Sequence, residues 1–232
     1  MLLAAGMAQL AFAQAAGDIP RTASGKPDFN GVWEFPYVAD MAGKGNGRNQ
    51  IGAGDLPFTA AGKLNFDRYD SAAGDYTGAC LPFGHVRSMN SPNPVQFFQT
   101  DTAFAYLFEV NTWHHSFAIG GTDNTADLPS SWYGNSHGVW EGDTLVVDSV
   151  GYNDVSWQNR DGLPTTDKLH LIERFSRRDM NTLDYKVTID DPGAYTAPWE
   201  SGYTVGWTPG EELFEYVCQE NNISPDAMIG EG

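Results

Sequence analysis

Six side chains lie close together in one segment, from Trp132 to Asp154, and each could transfer a proton or bind a cation. They are His137, Glu141, Asp143, Asp148, Asn153 and Asp154. The imidazole of His137 changes charge near neutral pH, so a histidine on a pocket wall is suited to general acid–base catalysis. We therefore take His137 as the candidate proton carrier of the chain.

The pattern around His137 predicts a strand, a tight turn and a second strand. A glycine supplies the positive φ that the turn needs, and Glu141 and Asp143 are expected to serve the turn itself. Because alternate residues of a strand share a face, Asn135 lies on the same face as His137 and is expected to bind substrate. Asp148 is expected to lie outside the pocket or to be structural.

Two carboxylates on predicted strands could act with His137. Glu173 lies between Leu171 and Phe175 on an apolar face, where an unpaired carboxylate is costly. It is therefore either a catalytic group or one half of a buried pair with an arginine. Glu109, on an aromatic strand, poses the same choice. We expect Glu173 or Glu109 to orient His137 across the interior of the fold.

A further predicted strand, Trp113–Ile119, carries other candidates for the pocket. His114 and His115 point in opposite directions if this strand is unbroken, so the two cannot ligate one metal together. A turn at Asn111-Thr112 would reset the phase of the strand. The residues that we expect to bind substrate are Trp113, His115, Phe117, Asn135 and Trp140.

Acid–base chemistry of this kind serves an isomerase, a lyase or a cyclase, and we expect it to use no metal and no cofactor. No HxH, HExxH or Cys/His spacing indicates a metal site. No GxSxG elbow surrounds Ser136 or Ser149, as a nucleophilic serine of that type would require. GxGxxG and P-loop motifs are absent, which argues against dinucleotide and nucleotide chemistry.

The same residues also suit a protein without catalytic activity. An aromatic cavity with few polar groups can hold a small apolar or aromatic molecule, as a periplasmic carrier would. The tryptophans could instead stack on sugar rings, or pack in the core. Enzyme and carrier are therefore both open at this point, and metal-independent acid–base chemistry is the leading hypothesis.

Strands predominate among the elements that must position these residues. Runs of β-forming residues follow one another from Val95 onward, separated by turn signals such as Gly120-Gly121. This spacing predicts a mainly β fold, either an antiparallel lipocalin/calycin-like β-barrel or a β-sandwich. One short helix is predicted near residues 59–69, with Thr59 as its cap. The predicted strands are Phe29–Glu34, Val95–Gln99, Ala103–Asn111, Trp113–Ile119, Gly138–Trp140, Thr144–Val150, Leu169–Ser176, Thr182–Asp190, Tyr203–Trp207 and Leu213–Cys218.

The acidic composition of the chain argues against two classes of partner, nucleic acids and membranes. The net charge is −17, from 13 Lys and Arg against 30 Asp and Glu. A surface this acidic repels phosphate backbones and anionic lipid surfaces, so we expect neither nucleic acid nor membrane insertion. The expected partner is a small apolar or aromatic molecule, and a homodimer is compatible with the composition.

Two features indicate export to the periplasm or the medium. Residues 1–16 are apolar and small, and Ala11-Phe12-Ala13 fits a signal-peptide cleavage site, although an N-terminal arm would look similar. Residues 17–232 then form a single barrel domain. Cys80 and Cys218 could pair in an oxidising compartment, or remain as two separate buried thiols.

Five blocks of the sequence, in this order, together resemble one family of exported bacterial proteins. The blocks are SGKPDFNGVWE, GNSHGVWEGDTLVVDSVGYND, LHLIERFSR, TIDDPGAYTAPW and FEYVCQENN. The resemblance covers nearly the whole mature chain; it implies export and a single domain, and it assigns no catalytic residue. In addition, Gly31-Val32-Trp33 is similar to the Gly-x-Trp of lipocalin-like barrels, in which the tryptophan closes one end.

Overall fold

A computed structural model describes residues 19–43, 49–123, 125–218 and 220. Residues 1–16, which we interpret as a signal peptide, lie outside the described residues. Within the described ranges, no helix combines the length and the apolarity that crossing a membrane would require.

Nine strands of the described chain form a closed barrel in which each strand pairs with the next and the last pairs with the first. All the pairings are antiparallel except that of the fourth and fifth strands, which is parallel. This closure confirms the predicted mainly β barrel over the sandwich. The strands are β1 Gly31–Glu34, β2 Val95–Gln99, β3 Ala103–Phe108, β4 His114–Ile119, β5 Asn135–Glu141, β6 Thr144–Val150, β7 His170–Arg177, β8 Thr182–Asp190 and β9 Trp199–Trp207.

Three short helices accompany the barrel in the described chain. They are α1 Ala60–Arg68, α2 Ser71–Gly74 and α3 His85–Met89. The helix predicted near residues 59–69 is confirmed as α1, and the N–H of Gly62 donates to Oγ1 of its cap Thr59 at 2.9 Å. Single 3₁₀ turns lie at Tyr76–Ala79, Val110–Thr112 and Thr125–Asp127.

The predicted strands are correct where alternating apolar and polar residues are bounded by turn residues. The strands β2, β6 and β8 have the predicted bounds. The strand predicted over Ala103–Asn111 ends three residues early. Asn111 and Thr112 have φ values of 57° and 52°, which a strand cannot accommodate. The chain therefore turns there, and the phase of β4 is reset relative to β3.

The strand predicted over Leu213–Cys218 is wrong, because β9 pairs with β1 and the closed barrel leaves no edge for it. This segment runs along the outside instead. The N–H of Phe214 donates to Glu109 and the N–H of Cys218 donates to Asn111. A disulfide between Cys80 and Cys218, with Cα atoms 5.6 Å apart, fastens it and confirms the predicted pairing.

One end of the barrel is closed by Trp33, as the likeness to lipocalin-like barrels implies. Its indole is fully buried and donates Nε1–H to the backbone oxygen of Phe29 at 2.8 Å. The guanidinium of Arg177 lies 5.1 Å from the ring centroids of both Trp33 and Trp207, and it donates to the backbone oxygen of Asp28. These cation–π contacts stabilise that end of the barrel.

The other end is closed by α3, which enters the mouth of the barrel. The Ser88 hydroxyl lies 3.1 Å from that of Tyr133, and the Tyr203 hydroxyl donates to the backbone oxygen of Met89 at 2.6 Å. Both Ser88 and Met89 are buried. The helix therefore acts as a plug that is hydrogen-bonded to the barrel wall.

The barrel interior is packed with rings rather than enclosing the ligand pocket that the sequence led us to expect. Phe97 packs against Phe104, Tyr106 and Phe175 at centroid distances between 5.2 and 5.8 Å, and all four rings are buried. The inward positions of these strands carry aromatic side chains that are large enough to fill a barrel of this size. A ligand site must therefore be sought where the wall opens.

Candidate functional site

Each of seven consecutive strands, β3 to β9, places a polar side chain on the inner wall toward the end that α3 closes. We call this set the polar girdle: Tyr106, His115, Ser136, Ser149, Glu173, Tyr185 and Tyr203. All but the half-buried Ser136 are buried. Polar groups in such a place need partners of their own, because no solvent reaches them.

Strand register brings the members of the polar girdle together. Three pairs stand directly opposite each other on neighbouring strands: Tyr106 and His115, Ser136 and Ser149, and Tyr185 and Tyr203. Two further neighbours are diagonal, since Ser149 is opposite Leu171 rather than Glu173, and Tyr185 is opposite Phe175. Diagonal positions remain within reach of long side chains.

Glu173 is the centre of the polar girdle and has no exposed surface. Its Oε2 lies 2.9 Å from Nε2 of His85, and its Oε1 accepts a hydrogen bond from the Tyr185 hydroxyl at 2.8 Å. The buried partner is thus a histidine on α3, where the sequence led us to expect an arginine. The carboxylate, the imidazole and the phenol are joined in one buried hydrogen-bonded group.

Three polar atoms beside this group have no hydrogen-bond partner in the described structure. They are Nδ1 of His85 and the hydroxyls of Tyr106 and Tyr152. Burial raises the pKa of both phenols well above the ordinary value, and the charge of Glu173 raises it further. Both are therefore protonated donors at neutral pH. Buried polar atoms without partners are rare in folded proteins, and a catalytic role is one explanation for them.

Within the polar girdle, His115 and the two serines form a hydrogen-bonded row. Its Nε2 lies 2.7 Å from the Ser136 hydroxyl, which in turn lies 2.6 Å from the Ser149 hydroxyl. Burial lowers the pKa of His115 to about 3, and the neighbouring His85 and His114 lower it as well. The imidazole of His115 is therefore neutral at physiological pH and can donate at one nitrogen while it accepts at the other.

The wall of the barrel opens between β4 and β5. Their parallel pairing extends over two residue pairs only, Ala118 with His137 and Ile119 with Gly138. Beyond these pairs lies a groove of about 370 Å³, which we call the β4–β5 groove. It is lined by His114, His115, Ser116, Phe117, Ala118, Thr125, Leu128, Gly134, Asn135, Ser136 and His137. His115 and Ser136 belong both to the groove and to the polar girdle, so the surface and the buried centre meet there.

Four of the predicted site residues line the β4–β5 groove together: His115, Phe117, Asn135 and His137. His137 reaches it from the outer face of the sheet. A side chain at the next position, Gly138, would meet Phe117 and Leu145 in the core, so His137 must point the other way. The structure does not bring His137 and Glu173 together, because they lie on opposite faces of the barrel wall.

Glu109 also lies outside the barrel. The inward residues of β3 are Phe104, Tyr106 and Phe108, so Glu109 follows in the outward phase and accepts from the backbone of Phe214 at 3.0 Å. Among the described residues no hydrogen bond joins Glu109 to His137, so the expected orientation of His137 by Glu109 is not formed. The carboxylate instead anchors the C-terminal segment.

The two tryptophans expected at the substrate site lie at opposite ends of the barrel. Trp140 stacks on Phe29 at a centroid distance of 5.7 Å, near the end that Trp33 closes. Trp113 packs edge-on against Phe83 at 5.4 Å, near α3. Neither lines the β4–β5 groove, because Trp113 precedes β4 and Trp140 lies toward the end of β5.

The opposite orientations predicted for His114 and His115 are confirmed, since His114 is exposed and His115 is buried. Among the described residues, no three His, Cys, Asp or Glu side chains converge as a cation site would need. The polar girdle offers proton donors and acceptors in an apolar surrounding. Comparisons with protein-family models, with curated proteins and with solved structures find no match to this chain.

Proposed function

We propose that the protein is an exported enzyme that transfers protons on a small, largely apolar or aromatic molecule bound in the β4–β5 groove. The observation that carries this proposal is the fully buried Glu173, hydrogen-bonded to His85 and Tyr185 beside unpartnered phenol groups. A carboxylate, an imidazole and phenols in an apolar site are the groups of general acid–base catalysis. The reaction class is that of an isomerase, a lyase or a cyclase.

The β4–β5 groove has the size and the lining of a small-molecule site. Its volume of about 370 Å³ falls within the roughly 300–1,000 Å³ typical of such sites. Phe117 and Leu128 supply apolar surface, and His115 and Ser136 supply hydrogen-bonding groups at the inner side. His115 is the group that meets the substrate, and a neutral imidazole can polarise a carbonyl oxygen.

Export is supported by the disulfide between Cys80 and Cys218, because such bonds persist in oxidising compartments. The apolar residues 1–16 would be the signal for it. A periplasmic or secreted location follows from this proposal.

A second candidate function is a carrier that binds the same class of molecule without reacting with it. The observation that favours it is the closed interior: Glu173 has no exposed surface, and rings fill the space around it. A ligand would then rest in the β4–β5 groove, and the polar girdle would only stabilise the barrel.

The two candidates can be separated with 5-nitrobenzisoxazole, a small aromatic whose ring opens when a base removes its carbon-bound proton. The coloured phenolate product allows turnover to be followed by absorbance. We expect the wild-type protein to accelerate ring opening over buffer and the Glu173→Gln variant to lose this activity. The matched control is Glu109→Gln, which removes a carboxylate outside the barrel and should keep it. Saturable binding of the compound with no turnover would establish the carrier instead.

A further inference from the structure

An unbroken row of hydroxyl and imidazole groups crosses the inner wall of the barrel. Its members are His115 on β4, Ser136 on β5 and Ser149 on β6, joined by contacts of 2.7 and 2.6 Å. A serine hydroxyl donates one hydrogen bond and accepts others. Each member can therefore pass a proton to the next while it receives one from the member behind, in either direction.

The outer end of this row reaches solvent. His115 and Ser136 line the β4–β5 groove, and Ser136 is half-buried. Ser149 has no exposed surface, so its hydroxyl can exchange protons only through neighbouring polar groups. The row thus begins at the opening of the wall and ends inside the barrel.

The inner end of the row approaches the buried carboxylate. Ser149 and Glu173 are inward residues on adjacent strands in diagonal register. The Tyr152 hydroxyl lies close enough to Ser149 for the serine to lower the pKa of that phenol, against the larger raising effects of burial and Glu173. The hydroxyls of Tyr152 and Tyr106 are both in the field of Glu173, and the Tyr106 ring lies 5.4 Å from the ring of His85, which contacts Glu173.

His85 and the Tyr185 hydroxyl contact Glu173 directly, and the other sides of Glu173 are apolar. Across the sheet it is opposite Val147 on β6 and Val187 on β8, and its inward neighbours along β7 are Leu171 and Phe175. His85, the first residue of α3, is itself buried. Apolar walls cannot carry protons, and the row from the β4–β5 groove is hydrogen-bonded without a break from His115 to Ser149.

We infer that His115, Ser136 and Ser149 form a proton relay between the β4–β5 groove and the buried carboxylate of Glu173. This inference deepens the proposed function, on which its purpose rests: a base without exposed surface can act on a substrate in the groove only through intermediaries. His115 touches the substrate, and Ser136 and Ser149 are positioning residues that act through it.

Each step of the relay conserves atoms and electron pairs. His115 takes a proton at Nδ1, the nitrogen that does not contact Ser136, and releases the proton on Nε2 to the Ser136 oxygen. Ser136 passes its own proton to Ser149, and Ser149 passes its proton inward through a phenol to Glu173. One N–H or O–H bond breaks and one forms at every stage. Each proton moves only to the neighbouring group, and the net result is the transfer of one positive charge across the wall. Reversal of these steps returns the proton.

The relay can be tested on the ligand-free protein by NMR, from the rate at which the His85 ring proton that faces Glu173 exchanges with water. Ser149→Ala and Ser136→Ala should each slow this exchange by about tenfold or more, because a methyl group neither donates nor accepts. The matched control is Ser201→Ala, since Ser201 is equally buried on β9 but donates to the backbone oxygen of Met41. In Ser201→Ala, the exchange rate of the His85 ring proton should equal that in the wild type.

Unchanged exchange in Ser136→Ala and Ser149→Ala would overturn the relay, because protons would then reach the centre by another path. If Ser149→Ala does not fold, Ser136→Ala at the half-buried position decides the question alone. The exchange experiment uses no substrate. Unchanged exchange in the serine variants together with turnover of 5-nitrobenzisoxazole would therefore overturn the relay alone. Slowed exchange without turnover would overturn the proposed function alone.

Discussion

The carboxylate of Glu173 lies 2.9 Å from Nε2 of His85, although 88 positions separate the two residues in the chain. One residue comes from the wall of the barrel and the other from the helix that plugs it. Their bond therefore joins the plug to the wall at the point where the polar girdle has its only fully buried carboxylate among the described residues. Stability and chemistry both depend on this contact.

Removal of His85 should destabilise the protein strongly. The variant His85→Ala leaves Glu173 buried without its partner, and breaking a buried pair in this way costs about 3–5 kcal/mol. Urea unfolding followed by circular dichroism measures this loss. The control His114→Ala changes an exposed histidine and should stay within about 0.5 kcal/mol of the wild type. Equal stabilities of the two variants would contradict a structural role for the pair.

Two tyrosines of the polar girdle should respond differently to loss of their hydroxyls. Tyr185→Phe removes the donor to Glu173 and should lower the free energy of unfolding by about 1–3 kcal/mol. Tyr106→Phe removes a buried hydroxyl that has no partner, so it should leave stability unchanged or raise it. The same unfolding measurement compares the two. A destabilised Tyr106→Phe would show that its hydroxyl is satisfied in solution.

The stability of the protein should fall with acid partly through His115. Burial lowers the pKa of this histidine from 6.5 to about 3, so between these values the unfolded chain binds a proton that the folded chain does not. Its contribution is complete above pH 6.5 and is lost progressively as the pH falls toward 3. Unfolding free energies measured between pH 7 and pH 4 should decline less steeply for His115→Gln. Parallel declines would contradict the lowered pKa.

The barrel could be predicted from the sequence because its signals are local. The alternation in Thr144–Val150 and in Thr182–Asp190 and the intervening turn residues fix strand bounds without knowledge of the rest of the chain. The inward phase of Glu173 also followed from its apolar neighbours Leu171 and Phe175. Each of these inferences needs only residues that are close together in sequence.

The composition of the site could not be predicted in the same way. His85 lies on a five-residue helix in a turn-rich segment, where no periodicity shows which side chains face inward. The inward position of His115 depends on the turn at Asn111, where the backbone enters the left-handed region and the phase of β4 is reset. His137 was assigned to the pocket by its strand, but only the orientation of Gly138 toward the core shows that it lies on the outer face.

The central claim is that the buried Glu173 is the base of a proton-transfer enzyme. The most direct test compares the rates of 5-nitrobenzisoxazole ring opening by the wild type, Glu173→Gln and Glu109→Gln, each confirmed as folded by circular dichroism. We expect the rate of Glu173→Gln to fall to the rate in buffer and the rate of Glu109→Gln to equal that of the wild type. Turnover by Glu173→Gln at the wild-type rate would contradict it.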